Sequence, residues 1–271
     1  MGTKQVIERR GKPKRVYSRH EEDPRLLQMT NTMLKYRRGY ITRVPKEESV
    51  VMAMSGGLDS SVTVDIVIPE WNVTIYPLFV RRSARATKYE EEAARYFVDF
   101  YDQRYPGKIK PLEVVETEVP PLQFKKYPEV DRLQRLGHPH RNSMLQALCV
   151  QYGQKLRATK APDLSTVLTS TVEDDSFPHS SLLALRTMTL LTCEDTGDWN
   201  WQVISPLIDT EFKGRPIYKK DLIKHAVKNG IPLEKTRTCI EGGEPDGTCA
   251  ECACRLRAFK KAGVKDPIIY K

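Results

Sequence analysis

The apolar run Val50-Val51-Met52-Ala53-Met54 enters Ser55-Gly56-Gly57-Leu58-Asp59-Ser60-Ser61 directly, and Leu58, Val62, Ile66 and Val67 then recur at helical spacing. A strand that turns through paired glycines into a helix points to an α/β fold and gives the turn a particular chemistry. Two successive glycines let backbone N–H groups converge into an anion-binding concavity. The helix adds unpaired N–H groups and the positive end of its dipole. Ser55, Ser60 and Ser61 offer hydroxyl donors to phosphate oxygens, whereas Asp59 would be repelled by bare phosphate and so implies a bridging Mg²⁺. The chain holds neither G-x-x-x-x-G-K-[ST] nor G-x-G-x-x-G, which sets the loop apart from ordinary ATPases and dinucleotide enzymes. A plain glycine turn capped by Asp59 or Ser60 would need neither the second glycine nor three serines.

The rest of the chain alternates strands and helices. A helix is expected around 25–38, then strands at Val73–Val80, Leu112–Val115, Thr166–Thr169 and Val203–Leu207. Helices are expected at 58–68, stopped by Pro69, then at 87–101, 142–158 and 181–191, with a last one through Leu222, Ile223 and Ala226 that Gly230 ends. The Pro-rich stretch 120–140 reads as a long loop with a functional role. Alternation of this kind gives a doubly wound, mostly parallel five-stranded sheet with helices on both faces, whose ligands sit at the carboxyl ends of the strands.

Charge and hydropathy narrow the setting. The 271 residues carry a net charge of +9 with 29% charged residues, and no stretch has the roughly 18 consecutive apolar residues of a membrane span. The start, Met1-Gly2-Thr3-Lys4-Gln5-Val6, has no apolar signal core and no Ser or Thr at the myristoylation position, so a cytoplasmic location with reduced thiols is expected. Arg9-Arg10, Lys12, Lys14-Arg15 and Arg37-Arg38 make the first 48 residues a basic extension, a candidate contact for nucleic acid or protein or simply a solvated face. Arg81-Arg82 and Arg85 form a second basic group. Cys149 and Cys193 stand alone and read as small apolar residues within helices.

Four cysteines crowd into Cys239-Ile-Glu-Gly-Gly-Glu-Pro-Asp-Gly-Thr-Cys249-Ala-Glu-Cys252-Ala-Cys254. Four thiolates close a tetrahedral Zn²⁺ site, and the Gly-rich spacer lets the two halves fold around the ion. Such a site is structural, because four protein ligands leave no open position for water. An iron–sulfur cluster is the rival occupant.

At these residues a resemblance becomes clear. Ser55–Ser61 resembles the SGGxDS signature of the PP-loop ATP pyrophosphatases, which split ATP between the α- and β-phosphates and adenylate a substrate oxygen. The stretch from Thr238-Cys239 through Cys249, Cys252 and Cys254 to Phe259 is similar to the C-terminus of the 7-cyano-7-deazaguanine synthase, or QueC, family. In between, His140-Arg141-Asn142, Thr171-Val172-Glu173-Asp174-Asp175, Ser205-Pro206-Leu207 and Tyr218-Lys219-Lys220-Asp221 resemble that family's motifs in order, over about residues 49–262. There are three departures. Cys252-Ala-Cys254 is one residue shorter than the family's closing Cys-x-x-Cys; Phe79–Arg85 replaces its D-Y-G-Q-R-H stretch; and Phe177-Pro178-His179-Ser180-Ser181 replaces its Y-P-D-C-R element.

The resemblance implies an adenine nucleotide alpha hydrolase-like fold with a small C-terminal zinc-binding segment. It divides the chain into the extension (1–48), an ATP-binding domain (49–236) and a four-cysteine zinc segment with the tail (237–271). It implies a ligase that adenylates 7-carboxy-7-deazaguanine for attack by ammonia and then dehydrates the amide to 7-cyano-7-deazaguanine, a product that suits tRNA (queuosine) or DNA modification. ATP would bind at Ser55, Gly56, Gly57, Leu58, Asp59, Ser60, Ser61 and Arg82. Asp59, Arg141, Lys219 and Glu173 would be the catalytic groups, with Asp175 beside Glu173 as another Mg²⁺-binding or ammonia-orienting carboxylate. Cys239, Cys249, Cys252 and Cys254 would hold the metal. The expected cofactors are ATP, Mg²⁺ and Zn²⁺, and the expected partners are the 7-deazaguanine and ammonia, with a homodimer allowed and no membrane. Two alternatives stand beside it: adenylation of another carboxylate such as a protein C-terminus, and a nucleotide-dependent nucleic-acid-binding protein that turns nothing over.

Overall fold

The computed structural model describes residues 21–125, 138–175 and 177–271. Strands β1 (Ser49–Ala53), β2 (Thr74–Arg81), β3 (Glu113–Glu116), β4 (Thr166–Leu168) and β5 (Gln202–Ile204) form one sheet in the order β3-β2-β1-β4-β5. Every pairing is parallel; Val50 of β1 lies between Ile75 of β2 and Thr166 of β4. The chain winds outward from β1 to β3, then returns to β4 on the other side of β1. The crevice beyond the carboxyl ends of β1 and β4 is thus the topological switch point where such sheets bind ligands.

Helices cover both faces, which is why the strands read as apolar runs rather than alternations. One face packs Val50 and Met52 against Val62, Phe97, Leu222 and Phe259. These come from α2 (Leu58–Trp71), α3 (Thr87–Arg104), α6 (Lys219–Lys228) and α7 (Ala250–Ala262), where α4 is Arg141–Thr159 and α5 is Leu182–Thr196. The other face packs Val51, Leu78 and Val203 against Cys149 of α4 and Leu185 and Cys193 of α5. Both isolated cysteines are fully buried, as small apolar residues are.

Several boundaries differ from the sequence reading for identifiable reasons. Pro69 does not stop α2: it sits exposed in the last turn, and the helix ends at Asn72, whose left-handed conformation returns its N–H to Ile68. Helix α5 continues to Thr196, where Gly197 caps it at φ 66°. Strand β5 is shorter, because Ser205 Oγ donates to the Thr171 carbonyl at 2.8 Å and accepts from Leu207 N at 3.3 Å, drawing the chain out of the ladder. Of the loop expected at 120–140, residues 126–137 lie outside the described ones, as do the basic residues 1–20.

The described part of the N-terminal extension lies on the β5 flank. Helix α1 (Pro24–Arg38) is capped by Asp23 and packs on α5. Beyond it, Arg38 donates to the Trp201 carbonyl at 2.8 Å and Gln202 Nε2 donates to the Arg43 carbonyl at 2.9 Å. Among the described residues no helix is long and apolar enough to cross a membrane.

Gly153 of α4 shows how tightly the second face is packed. A Cβ there would lie 2.7 Å from the Trp201 ring and 2.9 Å from Leu164. Alanine improves helix propensity by about 1 kcal/mol, but overpacking against a rigid indole costs about 1–3 kcal/mol. We expect Gly153→Ala to lower the urea midpoint; an increase would mean that the packing of Trp201 and Leu164 on α4 relaxes freely.

Candidate active site and metal centre

Residues 54–57 leave β1 at the switch point. Met54 N still donates to the Leu78 carbonyl at 2.9 Å, and the chain then turns through Gly56 at φ 69°. Gly56 is required twice: for that left-handed angle, and because a Cβ would lie 2.4 Å from the Glu90 carbonyl and 2.7 Å from Ala94 N of α3. Gly57 is the N-cap of α2; its N–H donates to Ser55 Oγ at 3.3 Å, and among the described residues no side chain caps the first-turn N–H groups. The first-turn N–H groups therefore face the crevice without a capping oxygen, the arrangement that receives anions. Ser55 Oγ and Ser60 Oγ are 2.9 Å apart and brace the turn from within. Ser61 is fully buried, and its hydroxyl has no hydrogen-bond partner among the described residues.

Three separate segments converge on Lys219, the first residue of α6. Its Nζ lies 3.1 Å from Asp59 Oδ2 and 3.8 Å from Asp175 Oδ1, while its backbone N–H donates to Asp174 Oδ1 at 2.8 Å. Burial works against the ammonium charge, but Asp59, Asp175 and Glu251 together hold the Lys219 pKa well above the usual lysine value. Asp175 follows β4 and accepts from Val172 N at 3.2 Å. Burial pushes its carboxyl up to about 6; Lys219 opposes that shift and Asp59 adds to it. Asp59 Oδ1, the carboxylate oxygen not in contact with Lys219, is buried with no hydrogen-bond partner among the described residues.

The expected cations divide. Lys219 is in this cluster, but Arg82 is engaged with Glu90 of α3, its Nη2 lying 2.9 and 3.1 Å from the two carboxylate oxygens. Arg141, at the start of α4, is half-buried; burial and then Arg82 lower its pKa, though arginine stays protonated, and Glu251 and Glu90 act on it with opposite sign. Glu173 is half-buried and its backbone N–H donates to the Ile217 carbonyl at 3.0 Å, joining the β4 loop to the segment before α6.

Sequence reasoning missed Glu251, Thr238, Arg237 and Arg255. With Gly57, Leu58, Asp59 and Lys219 they line a cleft of about 130 Å³ over the loop. The signal for Glu251 was its place between two cysteines at the start of a helix, which fixes where it points. Arg237 ties the C-terminal segment to the loop: its N–H donates to the Gly56 carbonyl at 2.8 Å, and its guanidinium donates to the carbonyls of Cys239 and Gly243 at 3.0 and 2.8 Å.

Beside the cleft, Cys239, Asp246, Cys249 and Cys252 place one ligand atom each within 4.8 Å of one another. The Sγ atoms of Cys239 and Cys249 are 4.0 Å apart, close to the roughly 3.8 Å edge of a tetrahedral zinc–thiolate site. This donor set fits a metal ion. Cys254, the expected fourth ligand, lies outside the group, and its sulfur accepts from Arg257 Nη2 at 2.9 Å.

Residues 49–263 match the sequence model of a family described as "Queuosine biosynthesis protein QueC". The chain is similar to 7-cyano-7-deazaguanine synthase 2 of Desulfitobacterium hafniense strain Y51, with 28% identity over 82% of this chain and 93% of that protein. It is 26% identical to the 7-cyano-7-deazaguanine synthase of Acetivibrio thermocellus, over 81% of this chain and 96% of the relative. The enzyme of the same description from Thermoplasma acidophilum is 27% identical, over 83% and 93% of the two chains.

The charge arrangement around Lys219 has a direct consequence. Replacing Lys219 by Met removes the cation that opposes protonation of Asp175, so its carboxyl should titrate above its present value of about 6. Carbon-detected NMR titration of Lys219→Met measures this; an unchanged or lower value would show that the two groups do not sense each other.

Proposed function

From the premise that this chain belongs to the QueC family, we propose that it is an ATP-dependent carbon–nitrogen ligase converting 7-carboxy-7-deazaguanine to 7-cyano-7-deazaguanine. The observation that carries the reading is the family match over residues 49–263, which spans the loop, the Lys219 cluster and the metal group together. In the first step a carboxylate oxygen attacks the α-phosphorus of ATP, the bond to the bridging oxygen breaks, and pyrophosphate leaves. Ammonia then attacks the acyl carbon, AMP departs with the C–O electron pair, and a proton is released, leaving the amide. The amide oxygen attacks the α-phosphorus of a second ATP, pyrophosphate leaves, and loss of AMP with the C–O electron pair and of both protons on nitrogen gives the nitrile.

The side chains present support these steps. The uncapped start of α2 receives polyphosphate, and Lys219 supplies positive charge as negative charge builds on the leaving pyrophosphate. Arg141 is the second cation of the reading, and Glu173 and Asp175 are the acidic groups of the β4 loop that orient the incoming nitrogen. Asp59, whose buried Oδ1 has no hydrogen-bond partner among the described residues, would hold Mg²⁺, which would supply positive charge to the phosphates. Zn²⁺ suits the cysteine-rich group as a structural ion.

One observation keeps a second acceptor in view. In the rewritten segment that ends β2 and continues past it, Arg81 pairs with Glu91 at 2.6 Å, Arg82 with Glu90 at 2.9 Å and Arg85 with Glu241 at 2.9 Å. The Arg81 guanidinium, helped by Arg95, holds Glu91 down to about 2 against its burial. Each of these arginines has a carboxylate partner within the protein, and a different carboxylate acceptor is the alternative.

Pyrophosphate release with 7-carboxy-7-deazaguanine and ammonium is the test, with nitrile as product. We expect Asp59→Ala to abolish release; undiminished turnover would sink the assignment of the loop. Release only with another carboxylate, such as a peptide C-terminus, would transfer the reading to that acceptor. Asp175 is ionised above about pH 6 and protonated below it, so activity should fall through that value as pH drops. Asp175→Asn should remove this limb, and an identical pH profile in the variant would exclude Asp175 as its origin.

A further inference from the structure

We propose that the fourth ligand of the C-terminal metal centre is Asp246 and that Cys254 is not a ligand, so that the site takes one zinc-class divalent cation through three thiolates and one carboxylate. The reason begins with helix geometry. Cys252 and Cys254 both lie within α7, and residues two apart on a helix are about 200° apart around its axis. With Cys252 turned toward Cys239 and Cys249, Cys254 is turned away from them. Its sulfur accepts instead from Arg257 Nη2 at 2.9 Å, three residues further along the helix.

The vacated ligand place is filled from the other side of the knuckle. Asp246 Oδ1 lies 3.5 Å from Cys239 Sγ, within the range expected for neighbouring ligands of a tetrahedral ion. The carboxylate is already aimed: Oδ1 accepts from Thr248 N at 3.1 Å and Cys249 N at 3.2 Å, and Oδ2 accepts from Thr248 Oγ1 at 2.8 Å. Gly247 makes the turn between them at φ 66°, where a side chain would also lie 3.2 Å from the Tyr270 ring. Hydrogen bonds of this kind to a ligand oxygen orient it for a metal. On the opposite flank, Cys249 caps α7 with its sulfur, accepting from Cys252 N at 3.4 Å.

The register explains the short Cys252-Ala-Cys254 ending. The closing Cys-x-x-Cys of this chain is Cys249–Cys252, and the preceding ligand is Asp246, three residues before Cys249. The donor set also discriminates between occupants. Iron–sulfur clusters are held by thiolates, four in the common cases, and here the fourth thiol of the segment faces away. A borderline ion such as zinc accepts a carboxylate in place of one thiolate.

The test reads metal rather than ligase activity, so its failure and failure of the proposed reaction are distinguishable. The full-length chain, Cys254→Ser, Asp246→Ala and Asp246→Cys are compared by elemental analysis, by chelator competition and by the thiolate-to-metal absorption of the cobalt-substituted proteins. The unaltered chain should bind one zinc and no iron, and Cys254→Ser should match it in stoichiometry and absorption. Asp246→Ala should bind zinc on the order of tenfold more weakly or worse, since even an outer-sphere partner is worth that much. Should Asp246→Ala fail to fold, Asp246→Cys carries the test: it should keep zinc and gain about one-third in thiolate absorption as the fourth sulfur joins. Loss of zinc or of a thiolate band in Cys254→Ser, unchanged absorption in Asp246→Cys, or iron and sulfide in the unaltered chain would overturn the proposal.

Discussion

The site depends on one ammonium group. Lys219 Nζ, buried at the start of α6, is held between Asp59 from the turn after β1 and Asp175 from the loop after β4, at 3.1 and 3.8 Å. An isolated buried ammonium would be costly, and so would two neighbouring carboxylates without a cation between them. Each charge is tolerable only because the others are present. The cluster therefore fixes the relative positions of three loops that the sheet alone brings merely to the same edge.

The turn between β1 and α2 was legible in the sequence because its determinants are local: an apolar strand, two glycines and an apolar helical repeat. Even there, the reason for Gly56 was only half visible, since the approach of α3 to within 2.4 Å of its missing Cβ is a tertiary fact. Lys219 was readable as a motif match, but its partners were not, because no spacing rule links a lysine to an aspartate on another loop. Arg82 shows the reverse failure. A basic residue after β2 suggested phosphate, and only the fold reveals that Glu90 occupies it. The four cysteines announced a metal site by composition, yet a sequence count cannot tell which sulfurs share a face. That required knowing that α7 begins at Ala250, which the cysteine-rich run had hidden.

The metal segment and the loop are one mechanical unit. Arg237 donates its N–H to the Gly56 carbonyl and its guanidinium to carbonyls of the cysteine-bearing turn. Arg255, 1% exposed, reaches Asp266 at 2.8 and 3.0 Å and the Leu233 carbonyl at 2.9 Å, fastening α7 and the tail to the same body. Two of the cleft's arginines are thus spent on architecture. Their role is to carry Thr238 and Glu251 to the mouth of the loop, so ordering of the knuckle and shape of the cleft are inseparable.

That division of labour decides the electrostatics an incoming nucleotide meets. Arg255 is paired with Asp266, whereas Arg237 donates only to backbone carbonyls and keeps its charge, so Lys219 and Arg237 stand against Asp59, Asp175 and Glu251. Two cations against three carboxylates leave a slight acidic excess, which the α2 dipole, worth about half a charge, partly offsets. Under the proposed function, a divalent cation accepted by Asp59 Oδ1, which has no hydrogen-bond partner among the described residues, would turn this balance positive. In this reading the loop would receive a metal–nucleotide complex more readily than the bare anion.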